Sequence, residues 1–264
     1  MKLAPFEGSE LQVINARRHI RSLEAEFVKC QESFPQNLPD PTWDGKGLWY
    51  WDLPVPKQPP VAISSIVMDA VHNLRSALDL LIMDTFTVIE RNGKGSHFPF
   101  AIDIDELRAK FISNKYKLRK LPEGVLSIIE TYEPFHGGRF DLRALHDIDI
   151  SNKHNALVLV AAPVALRRCE LLLGSKMLVF EEGAALLPGN REIAHFFKFV
   201  CDEPIQLRGD TRLEMRFVLT GGGLSSKKDI LSCLRLWSDL IDEMIARVRE
   251  FLAEYSRQHH SQTA

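Results

Sequence analysis

His72, Arg75 and Asp79 lie in the run Val71-His72-Asn73-Leu74-Arg75-Ser76-Ala77-Leu78-Asp79, at offsets of three, four and seven residues. At 3.6 residues per helical turn, that spacing puts an imidazole, a guanidinium and a carboxylate on one stripe. An imidazole can move a proton, a guanidinium can stabilise developing negative charge, and a carboxylate can orient either one. Val67, Val71, Leu74, Leu78 and Leu81 share the opposite stripe and predict a face turned to a core. Met68, Leu80, Met83 and Phe86 fall within or beside the polar stripe, so that side is expected to be partly covered too.

A second group follows in Leu142 to Lys153. Leu142, Leu145, Ile148 and Ile150 define an apolar arc, and His146, Asp149 and Lys153 fall inside it. An isolated buried charge costs several kcal/mol even after relaxation, so these residues must pair with each other or with a facing helix. The expectation is that Asp149 faces Arg75 and that Lys153 or His154 sits near Asp79, giving one polar pocket between two helices. The same residues also suit a buried ion network that fixes the register of the helices.

Four segments carry a resemblance. His72-Asn73-Leu74-Arg75-Ser76-Ala77-Leu78-Asp79, His97-Phe98-Pro99-Phe100, Tyr132-Glu133-Pro134-Phe135 and Asp149-Ile150-Ser151-Asn152-Lys153-His154 together resemble an uncharacterised family of bacterial and phage proteins. Leu80 stands where that family has a second His. Ser151 and Asn152 replace its Asn-x-Asp, and Asn155 replaces a closing Arg. More distantly, polar residues on long helices of a bundle resemble the HEPN superfamily, whose active members are metal-independent ribonucleases with a closely spaced Arg and His. Arg91-Asn92-Gly93-Lys94-Gly95-Ser96-His97 fits that spacing, although its two glycines imply a loop.

The resemblance implies a metal-independent ribonuclease or nucleic-acid-processing protein, in phage defence or as a toxin, with RNA as partner, no cofactor and no metal. His72 or His154 would move a proton from the attacking 2′-hydroxyl, with Arg75 and Lys153 stabilising the phosphate and Asp79 or Asp149 orienting the bases. The alternative is a non-catalytic binding or scaffold protein in which the same charges are structural.

Composition narrows the rest. A net charge of −2 over 264 residues excludes a uniformly basic nucleic-acid coat, so any phosphate-binding surface must be local. The basic run Lys110, Lys115, Tyr116, Lys117, Arg119 and Lys120 has the composition of one, and equally of a solvated loop. Gly221 to Gly223 could bind a phosphate before a helix, or simply connect. Trp43, Trp49, Tyr50 and Trp51 suit base stacking or a hydrophobic cover over the bundle. Cys30, Cys169, Cys201 and Cys233 are dispersed, with no metal-ligand spacing, which predicts a reducing cytoplasm. There is no P-loop, no G-x-G-x-x-G, no H-E-x-x-H and no G-x-S-x-G.

Periodicity predicts helices near 10–32, 61–90, 103–111, 122–131 and 142–153, and a last long helix after Gly223. Ser9 and Gln12 resemble a capping box for the first. Between the last two helices come short apolar runs broken by turns, the pattern of an antiparallel sheet. The predicted class is α+β. A helical bundle over 1–155 carries an aromatic β-arm at 43–53, an antiparallel region covers 156–222, and a helix at 223–264, with a polar tail from 256, packs back on the bundle. The apolar helix surface also fits a homodimer, and no segment has the length or hydropathy of a membrane span.

Overall fold

A computed structural model describes residues 4–35, 37, 39–54, 60–113, 117–154, 160–161, 164–166, 169–180, 185–186, 193–200, 202–208, 213–219 and 228–260. The chain is α+β. Three long helices, α1 (Glu7–Glu32), α2 (Val61–Val88) and α6 (Ile230–His260), pack on one another, and α6 returns to the amino-terminal pair as its periodicity predicts. Shorter helices follow α2: α3 (Ile104–Ile112), α4 (Glu123–Thr131) and α5 (Leu142–His154), with a 3-10 turn at Leu118–Lys120. Helix α5 lies against α2, and α4 against α6.

The core forms where the periodicity converges. Val67, Val71, Leu74, Leu78 and Leu81 of α2 are fully buried, and so are Val13 and Leu23 of α1 and Leu234, Trp237, Ile241 and Val248 of α6. Met68 and Phe86 are buried as well, so α2 is covered on more than one side. Each helix start has its own local cause. Asp103 accepts the Glu106 N–H at 2.8 Å before α3, and Asp229 accepts the Ser232 N–H at 2.8 Å before α6. The expected capping box at Ser9 does not form. Helix α1 starts earlier, after Phe6 in a left-handed conformation, and Ser9 sits inside it, bonded to the Phe6 carbonyl at 2.9 Å and to Asp84 Oδ2 at 3.2 Å.

The strands are short and antiparallel. In order they are β1 (Thr42–Trp43), β2 (Leu48–Pro54), β3 (Val160–Ala161), β4 (Val164–Leu166), β5 (Cys169–Leu173), β6 (Lys176–Phe180), β7 (Ala185–Leu186), β8 (Ile193–Val200), β9 (Ile205–Arg208), β10 (Leu213–Met215) and β11 (Val218–Leu219). The aromatic arm is the β1–β2 hairpin, and β2 continues onto β8 from Leu48↔Val200 to Pro54↔Ile193, with a bulge at Trp51 and Asp52. Trp51 is buried and Trp43 stacks on Trp49 at 5.6 Å, so the aromatics pack on one another and into the core. Strand β5 is central between β6 and β9, β4 lies between β10 and β7, and β3 pairs with β11.

Candidate functional site

Helices α2 and α5 run antiparallel past each other, because His72 pairs with Asp149 and, one turn on, Arg75 pairs with His146. That crossing creates the site. Asp149 is buried, its side chain 6% exposed, whereas the His72 ring above it is 58% exposed. His72 Nδ1 and Asp149 Oδ1 are 3.1 Å apart. An ionised carboxylate can only accept, so Nδ1 carries the proton, and in the neutral ring the Nε2 lone pair is left free.

Arg75 is more enclosed, its side chain 11% exposed. Its Nε donates to His146 Nδ1 at 3.2 Å, and its guanidinium lies over the Phe100 ring at 4.8 Å. Nη1 is ion-paired with the Asp79 carboxylate one turn along α2, without the alignment of a hydrogen bond. Because Arg75 can only donate, His146 must accept at Nδ1 and carry its proton on Nε2. His146 stacks on Phe100 at 4.7 Å. Burial, reinforced by the cations of Arg75 and Arg143, lowers its pKa to about 4 against the opposing pull of Asp147 and Asp149. It is neutral at physiological pH.

Asp79 closes the far end of the row. Its Oδ1 accepts the Phe98 N–H at 2.8 Å, and its Oδ2 faces His97 Nδ1 at 3.7 Å. The loop carrying His97, Phe98 and Phe100 is thereby fixed to α2. A second anchor holds it from behind, where Ala101 N–H donates to the Pro134 carbonyl at 3.0 Å and His136 N–H donates to the Ile102 carbonyl at 3.1 Å. The Phe-Pro-Phe and Tyr-Glu-Pro-Phe segments therefore brace the site, and Phe98 and Phe100 are buried. Beside the row, Asp147 accepts from Arg143 Nε at 2.9 Å and faces His136 Nδ1 at 3.7 Å.

The polar groups of α2 and α5 are brought together as their spacing implies, but with different partners. Asp149 takes His72, and Arg75 takes His146 and Asp79. The antiparallel crossing carries the α5 backbone at Lys153 and His154 beyond Asp149, toward the start of α2 and away from Asp79. The side chains of Lys153 and His154 lie outside the described residues. Ile150 is 41% exposed, so the buried arc of α5 runs through Asp149 instead. His136, Arg143 and Asp147 were not legible as site members, and His97 was read only as a partner of Arg91, since their contacts come from loop docking and from the flank of α5.

Arg91 and His97 have separate partners. The Arg91 guanidinium donates to the Lys120 carbonyl, while His97 turns to Asp79. The basic run also divides. Lys110 is largely buried, paired with Glu106 at 2.8 Å and bonded to the Phe100 carbonyl, and so braces the site instead of meeting solvent. Lys117, Arg119 and Lys120 stand elsewhere, and Lys115 and Tyr116 lie outside the described residues, as do Gly221 to Gly223.

Among the described residues no group of three or more His, Cys, Asp or Glu is arranged to hold a metal ion, and no helix is long and apolar enough to cross a membrane. No protein-family model, curated protein or solved structure matches the chain.

Proposed function

We propose that the α2–α5 row is the active site of a HEPN-like ribonuclease that cleaves by side-chain acid and base chemistry. The observation that carries this reading is the His72–Asp149 pair, in which a buried carboxylate holds Nδ1 of a solvent-facing imidazole and leaves Nε2 to take a proton. In this reading His72 abstracts the 2′-hydroxyl proton, and the alkoxide attacks the adjacent phosphorus to give a 2′,3′-cyclic phosphate. His97, facing Asp79, is the general acid that delivers a proton to the departing 5′-oxygen. Arg75 holds Asp79 and His146 in place and lends positive charge to a phosphate above it.

His72 and Asp79 are seven residues apart on α2, a rise of roughly 10 Å, so the two imidazoles stand on either side of Arg75. The test is cleavage of single-stranded and structured RNA by the purified protein in the presence of a chelator. His72→Ala should abolish turnover, and so should His72→Asn, whose amide can still donate to Asp149 and so leaves the melting temperature nearly unchanged.

A second reading has its own observation. Arg75 is nearly enclosed and already satisfied by Asp79, His146 and Phe100, as in an ion network that fixes the helix crossing of a non-catalytic binding protein. Absence of RNA turnover in the unmutated protein, together with large destabilisation on removing Arg75, would select this reading.

A further inference from the structure

Where α2 ends, a cleft of about 490 Å³ opens between Val88–Arg91, Lys120–Pro122 and the Tyr255–Ser256 turn of α6. Arg91 and Lys120 line it, with Glu90 as the one carboxylate in its wall among the described residues. Two contacts tie further cations to its rim. Lys117 Nζ donates to the Lys94 carbonyl at 2.5 Å, and the Arg91 guanidinium donates to the Lys120 carbonyl. The loop after α2 and the 3-10 turn are thus stitched together by cations bonded to neutral backbone oxygens.

The result is a group of five cations: Arg91, Lys94, Lys117, Arg119 and Lys120. Among the described residues none of them is paired with a carboxylate. Elsewhere basic side chains often find acids, as Arg17 does with Asp239 and Asp242, Arg108 with Glu130 and Arg235 with Glu24, and what sets these five apart is that they lie on two adjoining segments. Lys94, Arg119 and Lys120 are exposed. Unneutralised cations beside a concave surface attract a polyanion, and they release its counterions on binding.

The cleft is not isolated from the α2–α5 row. Lys94 and His97 share one loop and are three residues apart, a reach of at most about 11 Å. A phosphate spacing along an extended nucleic-acid strand is shorter than that. We infer that the cleft walled by Arg91 and Lys120, with Lys94, Lys117 and Arg119 on the segments that adjoin it, is the docking track for the phosphate backbone of single-stranded RNA, leading the strand to His97. Tyr255, whose ring stacks on Phe251, supplies an aromatic wall at the far end for an unpaired base. This inference rests on the ribonuclease reading for its choice of polyanion.

The experiment measures binding of a short fluorescein-labelled single-stranded RNA by anisotropy over a salt series, using the full chain with His72→Ala so that the probe survives. Binding should weaken steeply with salt. Lys94→Glu combined with Lys120→Glu should cost on the order of tenfold or more in affinity and reduce the slope of log affinity against log salt by about 1.4, two contacts at roughly 0.7 each on a single strand. Both side chains are exposed and unpaired, so the melting temperature should hold. Lys94→Ala with Lys120→Ala, which adds no acid, should give a smaller loss in the same direction. Unchanged affinity in both double variants overturns the assignment. So does equal, equally charge-sensitive binding of polyglutamate or of phosphatidylserine vesicles, which would make the cleft an acidic-protein or lipid site. RNA binding of the expected kind without cleavage by the unmutated protein keeps the track and removes the nuclease reading.

Discussion

The Asp149 carboxylate lies beneath the helix crossing while its partner His72, 3.1 Å away, stands in solvent. The pair therefore couples a fixed group to a reachable one. Asp149→Asn keeps the shape but offers an amide that can donate to Nδ1, which favours the wrong tautomer of His72. RNA turnover should fall by about 10²-fold or more, with a much smaller change in the affinity for RNA. Equal activity in Asp149→Asn and the parent would show that the pair has no part in the chemistry.

His146 makes the stability of the fold depend on pH. Its folded pKa, about 4, is below its ordinary value of 6.5, so between those values the unfolded chain binds the proton more readily. Stability should be fully present above pH 6.5 and be lost as pH falls toward 4. The loss from this one residue is on the order of 1 to 2 kcal/mol after allowance for partial solvent screening. Denaturant titrations at a series of pH values should show a flatter profile for His146→Phe, which retains the stack on Phe100 and does not titrate. The difference between the two profiles, not either profile alone, is the quantity to read.

Removing Arg75 takes from Asp79 its arginine partner, leaving the Phe98 N–H and the His97 ring at 3.7 Å, and leaves His146 Nδ1 without its donor. Arg75→Ala should destabilise the fold by about 2 to 4 kcal/mol in urea denaturation. Arg75→Lys should recover only part of it, since one ammonium cannot serve Asp79 and His146 while lying flat on Phe100. A loss within 0.5 kcal/mol for the alanine variant would mean the crossing is held by apolar packing alone.

Gly124 in α4 offers a test of packing against intrinsic preference. Alanine is favoured over glycine inside a helix by roughly 1 kcal/mol. Here an added Cβ would come within 2.2 Å of the Phe251 ring on α6. Gly124→Ala should therefore destabilise, by about 1 to 3 kcal/mol. Pairing it with Phe251→Leu should restore much of the loss, and thermal melts of the single and double variants decide the matter.

Much of this arrangement was legible in the order of the residues. The stripe Val67, Val71, Leu74, Leu78 and Leu81 predicted a buried face because hydrophobic spacing acts locally, and every member is buried. The placement of His72, Arg75, His146 and Asp149 between two helices followed from charges set among apolar neighbours. The pairing did not follow, because it depends on the direction in which α5 crosses α2, and no local spacing encodes that. His97 was assigned to a loop with Arg91, since its contact with Asp79 arises only when the loop folds back along the helix. Strand β9 carries only a faint signal within the expected antiparallel region, where Ile205 and Leu207 alternate with Gln206 and Arg208. Lys110 looked like part of a basic surface because composition cannot distinguish a cation in solvent from one folded under a carbonyl.

The pairing of β2 with β8 ties residues 48–54 to residues 193–200. Helix α6 in turn completes a core begun by α1 and α2. Such closures join segments far apart along the chain, and folding slows as the separation of contacting segments grows. On a ribosome, the apolar faces of α1 and α2 would emerge long before α6 could cover them. The nascent bundle must therefore persist for a time as an open pair of helices with its hydrophobic stripe exposed. The interval before α6 arrives is then when the chain is most exposed to aggregation.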